Sequence, residues 1–233
     1  MQDYNLGFIS NIDLYNHVQA TVLKYIENMK QTNIHRNLID PIKLSFDGIV
    51  YQNTFGELMR IEAIRQVSES NNNQIGYFNQ DIFRYIGTER GWSVPLRGGH
   101  GYDIENQRLN YFVEMKNKHN SMNSKSAQKT YEQMQEVVDS NCNATCLLVE
   151  VIAKHSQNIS WHNNPRIRRI SIDKFYALVT ERPFAFRELC DQLPNVIIDV
   201  FRDIYPTASL LTEESHLRDV YYQTFRQYDG FHP

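Results

Sequence analysis

Tyr111-Phe112-Val113-Glu114-Met115-Lys116-Asn117-Lys118-His119-Asn120 is the stretch on which the reading of the whole chain turns. Tyr111, Val113 and Met115 alternate with Phe112, Glu114 and Lys116, the two-residue period of a strand, so Glu114 and Lys116 fall on one face. Just upstream stands Gly101-Tyr102-Asp103-Ile104. A turn at Glu105-Asn106-Gln107-Arg108 lets the segment around Asp103 and Ile104 pair with the strand and sets Asp103 beside Glu114. Two carboxylates at one sheet edge are costly unless a cation neutralises them, and hard oxygen donors favour a divalent ion such as Mg²⁺. A lysine beside them supplies positive charge or holds a water. This is the chemistry of metal-dependent phosphodiester hydrolysis.

At these residues the chain resembles the PD-(D/E)XK nuclease superfamily, with Asp103 as the D and Glu114-Met115-Lys116 as the (D/E)XK. Tyr102 stands where the nominal motif has proline. Val113 to Ser121, with Ile39-Asp40-Pro41 and Ile75-Gly76-Tyr77-Phe78-Asn79-Gln80, further resembles type II restriction endonucleases, most of all those cutting GGNCC-like sites. The resemblance covers roughly residues 34 to 150. It implies Asp103, Glu114 and the Met115 carbonyl as Mg²⁺ ligands and Lys116 as the residue that orients or activates water. It implies double-stranded DNA as substrate, a cognate DNA methyltransferase as functional companion, and Glu62 as an additional acid reaching the site from a helix. Glu62 reads more readily as a solvated helix-face carboxylate.

The rest of the chain suits such a fold. Residues 13–32 read as an amphipathic helix with Leu14, Val18, Val22, Tyr25, Ile26 and Met29 on one face. Asp40 and Asp47 read as turn or capping residues, because the residue before Pro41 avoids the helical region. Residues 53–70 read as a second helix with Leu58, Ile61, Ala63 and Ile64 inward; Asn71-Asn72-Asn73 reads as a loop, and residues 74–86 as a third helix ended by Gly87. From this last helix Tyr77 and Gln80 are placed to approach the site or the DNA. A short strand at Trp92–Pro95 precedes the glycine-rich turn Arg97-Gly98-Gly99-His100-Gly101, which tolerates positive φ and close approach to phosphate.

Downstream, a helix over 127–140 and the apolar run Thr145–Ile152, expected of a central strand covered on both faces, make a parallel crossover. Residues 154–165 read as a polar loop, 166–172 as a strand, and 173–179, 183–205 and 212–228 as helices. The architecture expected is α/β: a mixed central β-sheet flanked by helices, with additional N- and C-terminal helices, in one endonuclease domain over 1–233 whose core is about 53–172.

The formal net charge is only −3, but its distribution is uneven. Residues 84–129 hold eight Lys/Arg against four acids, and 154–169 hold four bases and no acid. One side can therefore face a duplex. Arg97, His100, Lys118, His119, Asn120 and Lys125 are expected at the DNA backbone, and Asn164, Arg166 and Arg168 at bases, since arginine suits guanine and asparagine adenine. A palindromic site calls for a two-fold homodimer with one site per strand. The acid-rich C-terminal helices would repel phosphate and are assigned to packing and dimer contacts. Three cysteines without metal spacing point to buried thiols in a reducing compartment. Met1–Ser10 lacks a basic and apolar leader and no stretch is long enough to span a bilayer, so a cytoplasmic protein is expected. A repair or junction-resolving nuclease of the same fold, or a non-catalytic DNA-binding protein, are the competing readings.

Overall fold

The computed structural model describes residues 3–31, 39–96, 101–118, 122–207 and 228–231. In chain order the elements are α1 (Asn11–Gln31), α2 (Pro41–Val50), α3 (Phe55–Asp81), β1 (Ile104–Asn106), β2 (Tyr111–Lys118), α4 (Ser124–Ser140), β3 (Thr145–Ile152), β4 (Asn158–Trp161), β5 (Asn164–Ser171), α5 (Ile172–Thr180) and α6 (Ala185–Ile204). They form two compact units: Met1–Gln19 with Phe78–Pro233, and Ala20–Tyr77.

In the first unit the alternating residues of 111–118 form β2, inside a five-stranded sheet of order β1-β2-β3-β5-β4. β2, β3 and β5 run parallel, while β1 and β4 are antiparallel edges. This is the mixed sheet flanked by helices that the sequence led us to expect, and the β2-α4-β3 crossover falls where it was read. One face, carrying Cys146, Leu148 and Ile167, packs under Met134 and Val138 of α4, with Tyr102, Phe112 and Tyr131 around it. On the other face Val113, Leu147 and Val149 are buried. There Tyr111 stacks on Trp92 with centroids 5.6 Å apart, and Trp92 meets Phe175 of α5 edge-on at 5.5 Å. Helices therefore cover both faces, as parallel strands require.

Several local readings shift. The hairpin turn lies two residues later: β1 extends through Asn106, and Asn110 takes φ +56° at the turn's end. Its side chain shares a hydrogen bond with Asn141, 3.0 Å long, so a left-handed conformation that asparagine tolerates is fixed from outside. α4 begins at Ser124 because the Asn123 side chain accepts from the Ser126 N–H at 2.9 Å, an N-cap that apolar periodicity does not register. The polar loop 154–165 contains strand β4, made possible by His162 and Asn163 at φ +49° and +60°. Trp92–Pro95 contributes only a bridge, Ser93 to Glu105. Gly87 ends the preceding turn at φ +78°, where a Cβ would collide with Val179. Of the three thiols, all free, Cys142 is exposed rather than buried. The helix read over 212–228 lies outside the described residues apart from its last.

The second unit is helical. Asp40 caps α2, its side chain accepting from the N–H groups of Ile42 and Lys43 while Pro41, with its fixed φ, takes the first turn. Thr54 and Glu57 close a capping box at α3, the Glu57 carboxylate accepting from the Thr54 N–H at 2.7 Å. α3 then runs without a break through Asn71-Asn72-Asn73; asparagine is only a weak helix former, and flanking turns carry it. The inward face also differs from the apolar pattern. Ile61, Ile64 and Met29 are exposed, whereas Glu62 and Gln66, one turn apart, are buried. Among the described residues no helix is long and apolar enough to cross a membrane.

Candidate active site

The β1–β2 register pairs Ile104 with Val113, and one step further along that antiparallel ladder brings Asp103 opposite Glu114. Asp103 is clamped there by two donors. Its Oδ2 accepts from the Met115 N–H at 2.8 Å and its Oδ1 from Gln80 Nε2 at 2.7 Å. Lys116 Nζ donates to Glu114 Oε1 at 2.6 Å, with side-chain exposures of 31% and 25%. The four side chains thus meet at the C-terminal end of β2, open to solvent on one side. Burial, and then the Glu114 charge, push the Asp103 carboxyl above its ordinary range, while the Met115 N–H, Lys116 and Gln80 oppose that rise.

A pair of carboxylates held in this way is a donor set for a hard divalent cation, because a cation removes the like-charge cost that raises Asp103. Among the described residues no group of three or more His, Cys, Asp or Glu converges. The two carboxylates could hold a hard cation that draws its remaining ligands from backbone, water and substrate oxygens. Tyr102, in the nominal proline position, packs on the same α4 face as Glu114: its ring lies 5.5 Å from that of Phe112 and its hydroxyl reaches the Gln133 carbonyl at 3.4 Å.

Glu62 belongs to the other unit. Arg65 grips its carboxylate at 2.8 and 2.5 Å, and Gln66 donates at 2.9 Å. The Arg65 guanidinium holds its carboxyl down at about 2. Lys118 ends β2, and Lys125 is exposed in the first turn of α4. Asn164 donates to Gln135 Oε1 at 3.1 Å. Arg166 Nη1 donates to the carbonyls of Val138, Asn141 and Cys142 at 2.5, 3.3 and 3.3 Å. Arg168 is taken by Asn158, Nε to the side chain and Nη2 to the carbonyl, both at 2.7 Å. Arg97, His100, His119 and Asn120 lie outside the described residues. Of the two residues read as approaching the site, Gln80 reaches Asp103. Two charged residues that the sequence reading passed over, Glu150 and Arg169, share this face of the sheet. The signal for Glu150 was present, a carboxylate interrupting the apolar run Thr145–Ile152.

A mixed sheet with a carboxylate pair and a lysine at one hairpin defines the class as a restriction-endonuclease-like α/β nuclease. Residues 6–202, spanning most of both units, match the Eco47II restriction endonuclease family, and the chain belongs to it. It is similar to the type II restriction enzyme Sau96I of Staphylococcus aureus, 26% identical over an alignment of 219 positions that covers 85% of this chain and 82% of that one. It is also similar to the type II restriction enzyme Eco47II of Escherichia coli, 28% identical over 211 residues, 82% of this chain and 86% of the other. The protein is thus a type II restriction endonuclease, a site-specific deoxyribonuclease, and the repair-nuclease and non-catalytic readings fall away. Family membership also brings a divalent metal cofactor in general terms.

Proposed function

We propose that Asp103, Glu114 and Lys116 are the catalytic set and that the metal is Mg²⁺, held by the two carboxylates and the Met115 carbonyl. The observation that carries this is the double clamp on Asp103 from Met115 N–H and Gln80, which fixes one carboxylate against a second that already carries a lysine. When bound, the ion supplies Lewis-acid stabilisation of the charge that develops on the phosphate and the leaving 3′-oxygen. The chain's own residues do the rest. Asp103, immobilised by its two donors, and Glu114 orient the site without reorganisation. Lys116 aligns the attacking water and shifts its ammonium between Glu114 and the developing negative charge. Glu62, its charge kept by Arg65, stays a candidate additional acid.

The substrate we infer is duplex DNA at a short palindrome of the GGNCC type, with the cytoplasm as its setting and a methyltransferase of matching specificity protecting the host's own sites. Lys118, His119, Asn120, Lys125, Arg97 and His100 are assigned to the DNA backbone and Asn164 and Arg168 to the grooves. Arg166, first read for a base, is given a structural role instead, because its guanidinium closes on three carbonyls at the end of α4.

Cutting both strands with one site per chain calls for a homodimer, both units of each chain acting as one endonuclease domain. α2 supports this. None of its ten residues is buried, and Ile42, Phe46, Ile49 and Val50 are 64–80% exposed. Tyr51 and Phe55, next in the chain, are exposed as well; exposed apolar residues grouped on one element mark an association surface, and a stable interface takes roughly 800 Å² per partner. A second copy presenting the same helix, with its Lys43–Asp47 pair, is self-complementary in charge.

The deciding experiment is digestion of a sequenced duplex with Mg²⁺ by the wild-type chain and by Lys116→Ala. Cleavage at one defined sequence is expected from the first and a rate loss of about a thousandfold from the second, with duplex binding within a few-fold. Full cleavage by Lys116→Ala rejects the assignment.

A further inference from the structure

Strand register places Lys116 beside Glu150 and Leu148 between Glu114 and Arg169. Glu114, Lys116, Glu150 and Arg169 therefore lie on one face, near the C-terminal ends of the three parallel strands. Glu150 is sealed in: it is 1% exposed, Arg169 Nη2 donates to its Oε1, and Gln157 Nε2 donates to its Oε2 at 3.1 Å. Arg169 is not sealed in with it. Its side chain is 32% exposed, as open as Lys116, while its guanidinium carbon lies 5.9 Å from the Trp161 ring centroid. Its Nε is buried without an acceptor.

A buried ion pair is a poor source of stability, because desolvation offsets most of the attraction, and an unmet Nε–H adds to the cost. What the pair achieves is directional. The carboxylate points inward, the cation outward, and the planar fork is fixed on a carboxylate below and an aromatic ring beside it. A guanidinium held this way presents its remaining Nη donors as a phosphate-binding edge. β2 and β5 are two strand spacings apart, about 10 Å, so that edge meets a different phosphate from the one at Lys116.

We propose that Arg169, oriented by Glu150 as a positioning residue, is a binding site for a DNA backbone phosphate next to the one being cleaved. This rests on the reading of Lys116 as the cleavage centre. It explains why a charge is buried in the central strand: the site needs a cation of fixed direction, and only a fixed anion beneath it supplies one.

The test is the salt dependence of binding to a short fluorescent duplex of mixed sequence, without metal, with thermal melting as the check on folding. Arg169→Gln should flatten the slope of log K against log salt by about 0.9, the loss of one phosphate contact. Arg169→Lys should restore the slope yet cleave about tenfold more slowly, since an ammonium lacks the fork. Glu150→Gln should keep the slope and lower cleavage by a similar factor. Should Arg169→Gln not fold, the neutral pair Glu150→Gln/Arg169→Gln leaves no uncompensated buried charge and must show the same flattened slope. An unchanged slope in either folded variant overturns the phosphate site, and unchanged cleavage in Glu150→Gln overturns its positioning role. Failure of the wild-type chain to cut with Mg²⁺ would instead remove the cleavage-centre reading and leave the slope measurement standing.

Discussion

Asp103 shows how little of a functional residue's behaviour lies in its own side chain. A carboxylate partly buried beside Glu114 is pushed toward the protonated form, yet the Gln80 amide and the Met115 N–H grip the ionised oxygens. Burial outweighs those donors, so the carboxyl stays above its ordinary range until a cation offsets the Glu114 charge. Gln80→Leu removes one of those donors while keeping the side chain's volume. The expected outcome is a 10–100-fold loss of metal affinity, typical of outer partners of ligating groups, measured by titrating Mg²⁺ against cleavage rate. A change confined to the maximal rate, with the metal dependence unmoved, would show that Gln80 serves something other than Asp103. The sequence suggested Gln80 only as a residue able to approach; that it binds Asp103, 23 positions away, follows from where α3 delivers it.

At the scale of the element, Arg166 illustrates a side chain whose type announced one role and whose surroundings provide another. An arginine on an alternating strand reads as a candidate for bases. In the fold β5 begins next to the end of α4, and the guanidinium closes on three carbonyls there, of Val138, Asn141 and Cys142. The last carbonyls of a helix need partners. Arg166→Met should therefore destabilise the chain by about 1–3 kcal/mol, seen in chemical denaturation, and speed amide exchange in the last turn of α4, with the salt slope of DNA binding unmoved. A flattened slope at full stability would assign Arg166 to DNA instead. α3 teaches the converse lesson. Its apolar period suggested Ile61 and Ile64 inward, but Glu62 and Gln66 are the buried ones, satisfied by Arg65 and by each other. Hydropathy ranks residues by transfer cost and cannot see that a carboxylate has been given its partners.

For the whole molecule the open question is how one site per chain cuts two strands, and the exposed apolar face of α2 bears on it directly. Phe46→Asp and Ile49→Asp place charge at the centre of that face without touching a buried residue. Sedimentation is expected to move from dimer to monomer, and supercoiled plasmid should be nicked rather than linearised, since each chain keeps its own site. A dimer that survives both substitutions would mean that the partner copy sits elsewhere, and a monomeric wild type would mean that the face is covered by another part of this chain.

The sequence by itself determined what is local: the alternation that makes β2, the central strand β3, the crossover between them, and the Asp103, Glu114, Lys116 constellation that a single hairpin brings together. Only the tertiary structure decided what depends on distant segments meeting. It put Gln80 on Asp103, sank Glu150 beneath Arg169, attached Arg166 to the end of α4 and left α2 without a buried residue. The physical reason is range. Backbone periodicity and turn chemistry act over a few residues, whereas the partner that satisfies a buried charge, or leaves an apolar face uncovered, is set by packing between elements far apart in the chain.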